Sequence, residues 1–323
     1  MTPAPALDAT QLAVVINTRD PQSVAVGEYY AARRALSFQN IIRVEFTPGV
    51  PNLPEKEFEA VRAAVERAAR PSVQAYALTW AAPYRVDCMS ITSAFAFGFD
   101  ASYCAEGCRP TQASPLFNVP TRRPFANAGF RPAMAIAARN LDLAKALIDR
   151  GVAADATRPP GTAYLLHTSD AARSVRHLLY PQFEAVARNR LQVQVLRQDA
   201  LENARDVIML FTGSVKVAGL ETLGFLPGAA ADHLTSTGGM LTDSAQMSAL
   251  RWLEAGATGS YGTVVEPCNL LQKFPHPAVF AEHYLRGDTL IEAYWKSVLM
   301  PGQGIFIGEP LAAPFARPPA AAR

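Results

Sequence analysis

Short apolar runs alternate with amphipathic stretches along the first eighty residues of the chain. The run at 12–17 is almost wholly apolar, which is typical of a strand buried on both faces of a parallel sheet. Two further strands are predicted at 40–46 and 73–80, and the apolar residues of 55–69 fall on one face of a helix. This β-α-β-α-β order predicts a parallel sheet with right-handed crossovers.

The same alternation returns after an irregular segment rich in proline, cysteine and aromatic residues. We predict an α/β fold of two parallel-sheet, three-layer units, the first at 11–80 and the second at 131–315. The segment 81–130 is interpreted as an insertion between them, since long irregular segments in compact folds are usually functional. The alanine- and proline-rich residues 316–323 are predicted to form a loose tail.

Composition and charge exclude several classes of protein. Of the 323 residues, 50% are hydrophobic and 18% are charged, which excludes a disordered chain. The net charge of +2 leaves no electrostatic footprint for nucleic acid. No apolar run is long enough for an integral membrane segment. The sequence contains neither a dinucleotide fingerprint nor a P-loop, and it predicts no cofactor. It does not indicate an oligomeric state.

The sequence as it stands begins without a basic and apolar leader, so it predicts a cytoplasmic location unless its start lies downstream of the natural one. The cysteines leave the redox compartment open. Cys104 and Cys108 are close enough in sequence for a local disulfide, which would imply an oxidising compartment. The alternatives are free buried thiols or zinc, and their spacing is not a standard zinc spacing. No metal site is predicted.

Polar residues follow two predicted strands of the second unit. Asp232 and His233 follow the apolar run 228–231, and Cys268 follows the strand predicted at 259–265. Because ligands bind beyond the carboxyl ends of strands in open α/β sheets, we expect these side chains at one edge. If the two strands are neighbours, a cysteine and a histidine would meet there, and such a pair makes a thiolate nucleophile.

Each of these residues also has a structural interpretation. A histidine near a strand end is commonly a hydrogen-bonded structural residue, and a single half-buried cysteine is commonly inert. Asp170 is a candidate binding residue, although it can simply cap the helix that follows it. The remaining candidate binding residues all lie in the two loops that follow the strands: Ser236, Gly238, Gly239 and Glu266.

The segment from about 228 to 311 resembles the caspase-like cysteine peptidases of the gingipain and CHAT type. The resemblance rests on the Gly-rich loop after an apolar strand, on Ala255-Gly-Ala-Thr-Gly-Ser and on Ile307-Gly-Glu-Pro310-Leu. It implies a caspase-like fold in the second unit and a peptide or protein substrate. In that family the catalytic histidine follows one strand and the catalytic cysteine ends the next.

The usual dyad of that family is missing at both positions. The histidine loop reads Phe211-Thr-Gly-Ser-Val-Lys216, and the cysteine position reads Ala231-Asp-His-Leu-Thr-Ser236. Cys268 falls one strand later. Over nearly its full length the chain is also similar to an uncharacterised bacterial family found with exosortase and exopolysaccharide-associated proteins. That similarity rests on phrases such as Leu78-Thr-Trp80 and Ser90-Ile-Thr-Ser-Ala94, and it implies an extracytoplasmic setting.

Two functional hypotheses follow. In the first, the protein is a thiol-dependent hydrolase with Cys268 as nucleophile, His233 as base and Asp232 orienting the histidine. Backbone amides near Gly238 and Gly239 would then bind the oxyanion. In the second, the protein is a non-catalytic binding or assembly protein on a degenerate peptidase-like scaffold, and the insertion 81–130 contributes to its recognition surface.

Overall fold

The computed structural model describes residues 6–105 and 107–317. Most of the tail predicted at 316–323 therefore lies outside the described residues. The strands are, in chain order, β1 (Leu12–Asn17), β2 (Ile41–Val44), β3 (Ala75–Leu78), β4 (Arg85–Val86), β5 (Met89–Ser90), β6 (Ala133–Ala135), β7 (Thr162–Leu166), β8 (Gln192–Leu196), β9 (Val207–Gly213), β10 (Phe225–Leu234), β11 (Gly259–Thr263) and β12 (Gly304–Gly308). The α-helices are α1 (Pro21–Arg33), α2 (Glu55–Ala68), α3 (Ile91–Phe97), α4 (Pro124–Ala128), α5 (Leu141–Ala154), α6 (Tyr180–Ala187), α7 (Leu250–Ala255), α8 (Pro277–Leu285) and α9 (Leu290–Ser297).

Ten of these strands form one sheet in the order β2-β1-β3-β6-β12-β11-β10-β9-β7-β8. Most neighbours are parallel, and β12 runs antiparallel to β11. The predicted α/β fold with parallel strands is confirmed. The strands of the two predicted units are joined in a single sheet, because Ala135 of β6 pairs with Leu78 of β3 on one side and with Ile307 of β12 on the other.

Hydrophobic patterning accounts for the elements of the first half, residues 11–80. Every residue of β1 is buried, as expected for a central strand covered on both faces. On α2 the apolar residues Phe58, Val61 and Val65 are buried, as predicted, and the remaining positions are exposed or half-buried. Strand β1 belongs to the sheet, and α2 is one of the helices that cover it. This is the layered arrangement that the sequence predicts.

The insertion 81–130 contributes to the core. Its helix α3 packs against β6 and β12, and all its residues from Ile91 to Ala96 are buried. The Ser90 hydroxyl accepts a hydrogen bond from the Ser93 amide at 3.0 Å and caps this helix. Part of the segment is therefore built into the sheet-covering layer of the fold.

The predicted Cys104–Cys108 disulfide is wrong, because each of these cysteines has another partner. Cys88 is bonded to Cys104, and Cys108 is bonded to Cys268, 160 positions away. All four cysteines of the sequence lie in the described ranges, and these two disulfides account for all of them. The Cα atoms are 5.5 and 5.4 Å apart in the two pairs, within the usual range for disulfides. The second disulfide joins the insertion to the loop that follows β11.

In the second half, residues 131–315, two consecutive α-helices, α8 and α9, lie between β11 and β12. These two helices are separated at Gly287, whose φ of +90° an L side chain rarely adopts. A capping box between Thr289 and Glu292 then begins α9.

In the part of the chain that the structure describes, no helix is both long and apolar enough to cross a bilayer.

Candidate functional site

Asp232 and His233 lie inside β10, although the sequence places them in a loop. Strand β10 continues to Leu234, and its register with β9 pairs Asp232 with Phe211 and His233 with Thr212. Both side chains are buried, with 1% and 2% exposure. Because both side chains are buried in the interior, neither points into an open loop.

The carboxylate of Asp232 is the partner of a buried arginine. Arg176, which follows β7 and is 1% exposed, forms an ion pair with Asp232 and donates to the Thr212 carbonyl at 2.7 Å. Burial raises the pKa of Asp232 to about 6, while the Arg176 charge acts in the opposite direction. The expectation that Asp232 orients His233 is therefore replaced by a structural role, in which the carboxylate neutralises Arg176.

Both ring nitrogens of His233 are occupied by structural hydrogen bonds. The Trp252 indole N–H donates to Nδ1 at 2.9 Å, so Nε2 carries the proton and donates to the Met247 carbonyl at 3.1 Å. Burial lowers the pKa of His233 to about 3. The ring is thus neutral at physiological pH, and it has no free nitrogen to take a proton from a nucleophile.

Cys268 has no thiol, because its sulfur is bonded to Cys108. Its backbone adopts a φ of +55°, and its amide donates to the Glu266 carboxylate at 2.7 Å. The predicted nucleophile–base pair of Cys268 and His233 is therefore not assembled. Glu266, predicted as a binding residue, instead fixes the turn that carries the disulfide.

The glycines predicted to bind an oxyanion are used in packing. The Gly239 amide donates to the Thr263 carbonyl at 2.9 Å, and the Gly238 carbonyl accepts from the Ala249 amide at 2.7 Å. A Cβ on Gly239 would lie 2.6 Å from the Gly262 carbonyl oxygen, so this glycine permits the loop to approach β11 closely.

The other two predicted binding residues lie at the carboxyl edge of the sheet. Ser236 is half-buried, and its carbonyl accepts from the Thr263 hydroxyl at 3.0 Å. Asp170 pairs with Arg173 at 3.0 Å and accepts from that residue's amide, which is the capping alternative named for it. None of the contacts described for Ser236 or Asp170 involves Cys268.

An open groove lies at the same edge and was not predicted. We call it the edge groove; its volume is about 680 Å³ and it is lined by Arg139 and by residues of 215–221 and 241–251. The Met247 amide donates to the Val215 carbonyl at 3.0 Å and ties the two loops together beneath it. The signal in the sequence that could have indicated it is the apolar Val215 between the polar residues Ser214 and Lys216.

The edge groove continues toward the first half of the chain. A second cavity of about 420 Å³ shares Arg139, Leu241 and Thr242 with it and reaches Asp20 and Ala81. The insertion and the second half are also connected here, since the Tyr84 hydroxyl donates to the Asp243 carboxylate at 2.6 Å.

Metal chemistry has no residues to support it in the described ranges. Within residues 6–105 and 107–317, no three side chains of histidine, cysteine, aspartate or glutamate come together in a way that could hold an ion.

Comparison with known proteins identifies the fold. No protein family and no curated protein matches the sequence. Among solved structures, a protease aligns with a TM-score of 0.52 and 10% identity, covering 96% of this chain and 79% of that one. The complex of the pro- and mature domains of RgpB from Porphyromonas gingivalis aligns with a TM-score of 0.52 and 8% identity, covering 94% of this chain and 79% of that one.

These two alignments extend over nearly the whole chain at very low identity, so they establish shared architecture alone. The predicted caspase-like, gingipain-like fold is confirmed by them. The similarity to an exosortase-associated bacterial family stays a prediction, as do the domain boundaries. The described chain is thus an α/β protein with a gingipain-like fold.

Proposed function

We propose that this protein binds a polypeptide segment in the edge groove and does not cleave it. The observation that carries the proposal is that Cys268 and His233, the candidate nucleophile and base, are not assembled as a pair on this peptidase-like fold. The sulfur of Cys268 is in a disulfide, and both nitrogens of His233 are engaged in buried hydrogen bonds.

Thiol chemistry would need two changes at once. The Cys108–Cys268 disulfide would have to be reduced, because only a thiolate can attack an acyl group. His233 would also have to leave Trp252 and Met247 to accept a proton, which would leave an indole N–H and a carbonyl without partners in the interior. The first hypothesis is therefore the weaker of the two.

The edge groove has features suited to an extended peptide. Its loops present backbone groups and the apolar side chain of Val215, which is 39% exposed. Lys216 is exposed beside it and supplies a positive charge. The structural neighbours support a polypeptide ligand, since one is a protease and the other is a complex of a pro-domain with its mature domain.

The disulfides support an oxidising compartment for the folded protein. Disulfides persist in secreted and periplasmic proteins and are rare in the cytosol of most organisms. We therefore favour the extracytoplasmic setting implied by the exosortase-associated similarity over the cytoplasmic one.

The first experiment asks whether the protein hydrolyses peptides. The purified protein is incubated with denatured casein and with fluorogenic peptides, with and without reductant, beside the Cys268→Ala variant. We expect no turnover in any of these reactions, and no labelling by a thiol-reactive probe before reduction. Turnover that appears on reduction and is lost in Cys268→Ala would establish the hydrolase instead.

The second experiment asks whether the edge groove binds a peptide. Short peptides are selected from a random display library for binding to the wild-type protein, and are then synthesised and labelled. Each peptide is titrated with the wild type, Val215→Asp and Val195→Asp. Val195 is an exposed valine of β8, 42% exposed, and provides a matched control away from the groove. We expect Val215→Asp to weaken binding about tenfold or more while Val195→Asp leaves it unchanged. Equal binding by both variants would refute the assignment to this groove.

A further inference from the structure

A second cleft lies at the amino ends of β7 and β8, where those strands begin. It has a volume of about 770 Å³ and is lined by residues within 158–161 and 189–192, together with Leu285 and Phe315. A neighbouring cavity of about 680 Å³ shares Arg158, Leu285 and Phe315 with it, so the two form one continuous surface. We call this surface the arginine cleft.

The lining of the arginine cleft is strongly basic. Five arginines line its two parts: Arg122, Arg158, Arg190, Arg286 and Arg317. Among the described lining residues there is no aspartate or glutamate. The whole chain carries a net charge of only +2, so this basic surface is a local concentration rather than a property of the composition.

Two of these arginines have acidic partners that lie outside the lining. Arg122 pairs with the buried Asp288 at 2.6 Å, and Arg286 pairs with Glu282 at 3.2 Å. Even with both carboxylates included, the surface retains an excess of positive charge. Arg158 is exposed, and its backbone amide is fixed by a 2.9 Å hydrogen bond to the Pro314 carbonyl.

Two of the arginines, Arg190 and Arg286, are close enough to repel each other, although Glu282 acts in the opposite direction on Arg190. The pKa of Arg190 lies below its usual value, first because of partial burial and next because of the nearby Arg286 charge. Like charges gathered in a concave surface raise the local potential and attract an oppositely charged ligand. The repulsion is relieved when a ligand supplies negative charge.

We propose that the arginine cleft binds an acidic polypeptide segment, whose carboxylates pair with the guanidinium groups of Arg158, Arg190 and Arg286. A guanidinium presents a planar fork of donors that matches a carboxylate, which makes arginine suited to such recognition. The site lies at the opposite ends of the strands from the edge groove, so this proposal stands apart from the proposed function.

The apolar lining favours a peptide over a nucleic acid. Single-stranded nucleic acids are held by aromatic side chains on which the bases stack. The sole aromatic residue among the described lining is Phe315, which packs edge-to-face against Tyr284 with centroids 5.6 Å apart. The aliphatic surface that would contact the hydrocarbon parts of peptide side chains is supplied by Pro159, Pro160 and Leu285.

The test measures binding of a fluorescein-labelled oligoglutamate peptide by anisotropy at low and at physiological salt. Oligoglutamine, a single-stranded oligonucleotide and polyphosphate are measured beside it. The variant is Arg158→Glu with Arg190→Glu, and the matched control is Arg67→Glu with Arg197→Glu, two exposed arginines outside the cleft. Thermal unfolding of each variant confirms that the fold is retained.

We expect oligoglutamate to bind the wild type and the control equally, and to bind the cleft variant at least about tenfold more weakly. Affinity should fall as salt is raised, and Val215→Asp should leave it unchanged. The proposal is overturned if the cleft variant binds as well as the control, if oligoglutamate does not bind, or if the oligonucleotide or polyphosphate binds more tightly than the peptide.

Discussion

The chain leaves β1 and β7 through the same turn. After β1 the Asn17 amide donates to the Ser23 hydroxyl at 2.9 Å, and after β7 the Thr168 amide donates to the Ser174 hydroxyl at 2.9 Å. In both places the serine lies six residues beyond the donor and is buried. Each half of the molecule therefore has the same buried amide–hydroxyl contact in the turn that follows one of its strands.

The two turns differ two residues after each serine. Ala25 occupies this position in the first half, and the buried Arg176 occupies it in the second, where it reaches Asp232 of β10. In the first half the corresponding interior is held by neutral groups, such as the 2.6 Å contact between the hydroxyls of Ser23 and Thr79. The comparison shows that the turn does not need an ion pair, which makes Arg176 and Asp232 an addition specific to the second half.

The largest effect is expected when one partner of the Arg176–Asp232 ion pair is removed. Arg176→Met leaves the Asp232 carboxylate buried without its cation, which should lower the free energy of unfolding by about 3–5 kcal/mol. The double variant Arg176→Met with Asp232→Leu should recover most of that loss, because it removes both charges. Urea unfolding measures both, and a double variant as unstable as the single one would contradict the comparison.

The two disulfides also differ in which parts of the chain they join. The Cys88–Cys104 disulfide lies within the insertion, whereas the Cys108–Cys268 disulfide joins the insertion to the second half. Replacing both of its cysteines with serine should lower the free energy of unfolding by about 2–4 kcal/mol. The same replacement of Cys88 and Cys104 should cost less, because that disulfide spans 16 positions instead of 160. Guanidinium unfolding of the two double variants gives the order, and a larger loss for the short disulfide would contradict this explanation.

Acid should act on the second half through His233. The folded-state pKa of about 3 lies below the unfolded value of about 6.5, so between these values the unfolded chain binds the additional proton. The stability that wild type holds over His233→Gln should therefore be complete above pH 6.5 and shrink by about 1.4 kcal/mol per pH unit below it. Urea unfolding from pH 7 to about 4 tests this, and a constant difference would show that His233 is protonated in the fold.

The smallest effects are expected from replacing the buried serines that the two turns share, Ser23 and Ser174. Ser174→Ala removes one buried hydrogen bond and should lower the free energy of unfolding by about 1 kcal/mol. Ser23→Ala removes the contacts to both Asn17 and Thr79 and should cost about 2 kcal/mol. The half-buried Ser236→Ala serves as a control for the substitution. Equal stability of all three variants would mean that the shared turn is held by other contacts.

Much of the fold could be predicted from hydrophobic patterning, and the site could not. The run at 12–17 and the apolar face of 55–69 each identify their element, because burial on two faces or one leaves a clear period. Asp232 and His233 break the apolar run of β10, so a pattern-based reading ends the strand too early. Their partners, Arg176 and Trp252, lie far away in sequence or on another element.

The disulfide pairing failed for a similar reason. Four cysteines allow three full pairings, and their spacing favours short loops over a bridge of 160 positions. Only the approach of the insertion to the end of β11 brings Cys108 and Cys268 together. The division of α8 and α9 was in principle readable, since Gly287 and the Thr289–Glu292 capping box are both present in the sequence.

The Cys108–Cys268 bridge has a further consequence for how the protein responds to proteolysis. Any single cut between these two residues, for example at the exposed positions 197–199, leaves the two fragments covalently joined. A nicked molecule would therefore keep its full mass on a non-reducing gel and separate into two bands only after reduction. Since β6 through β11 all lie between the bridged residues, a protease that clips one of their exposed loops would mark the protein without dismantling it.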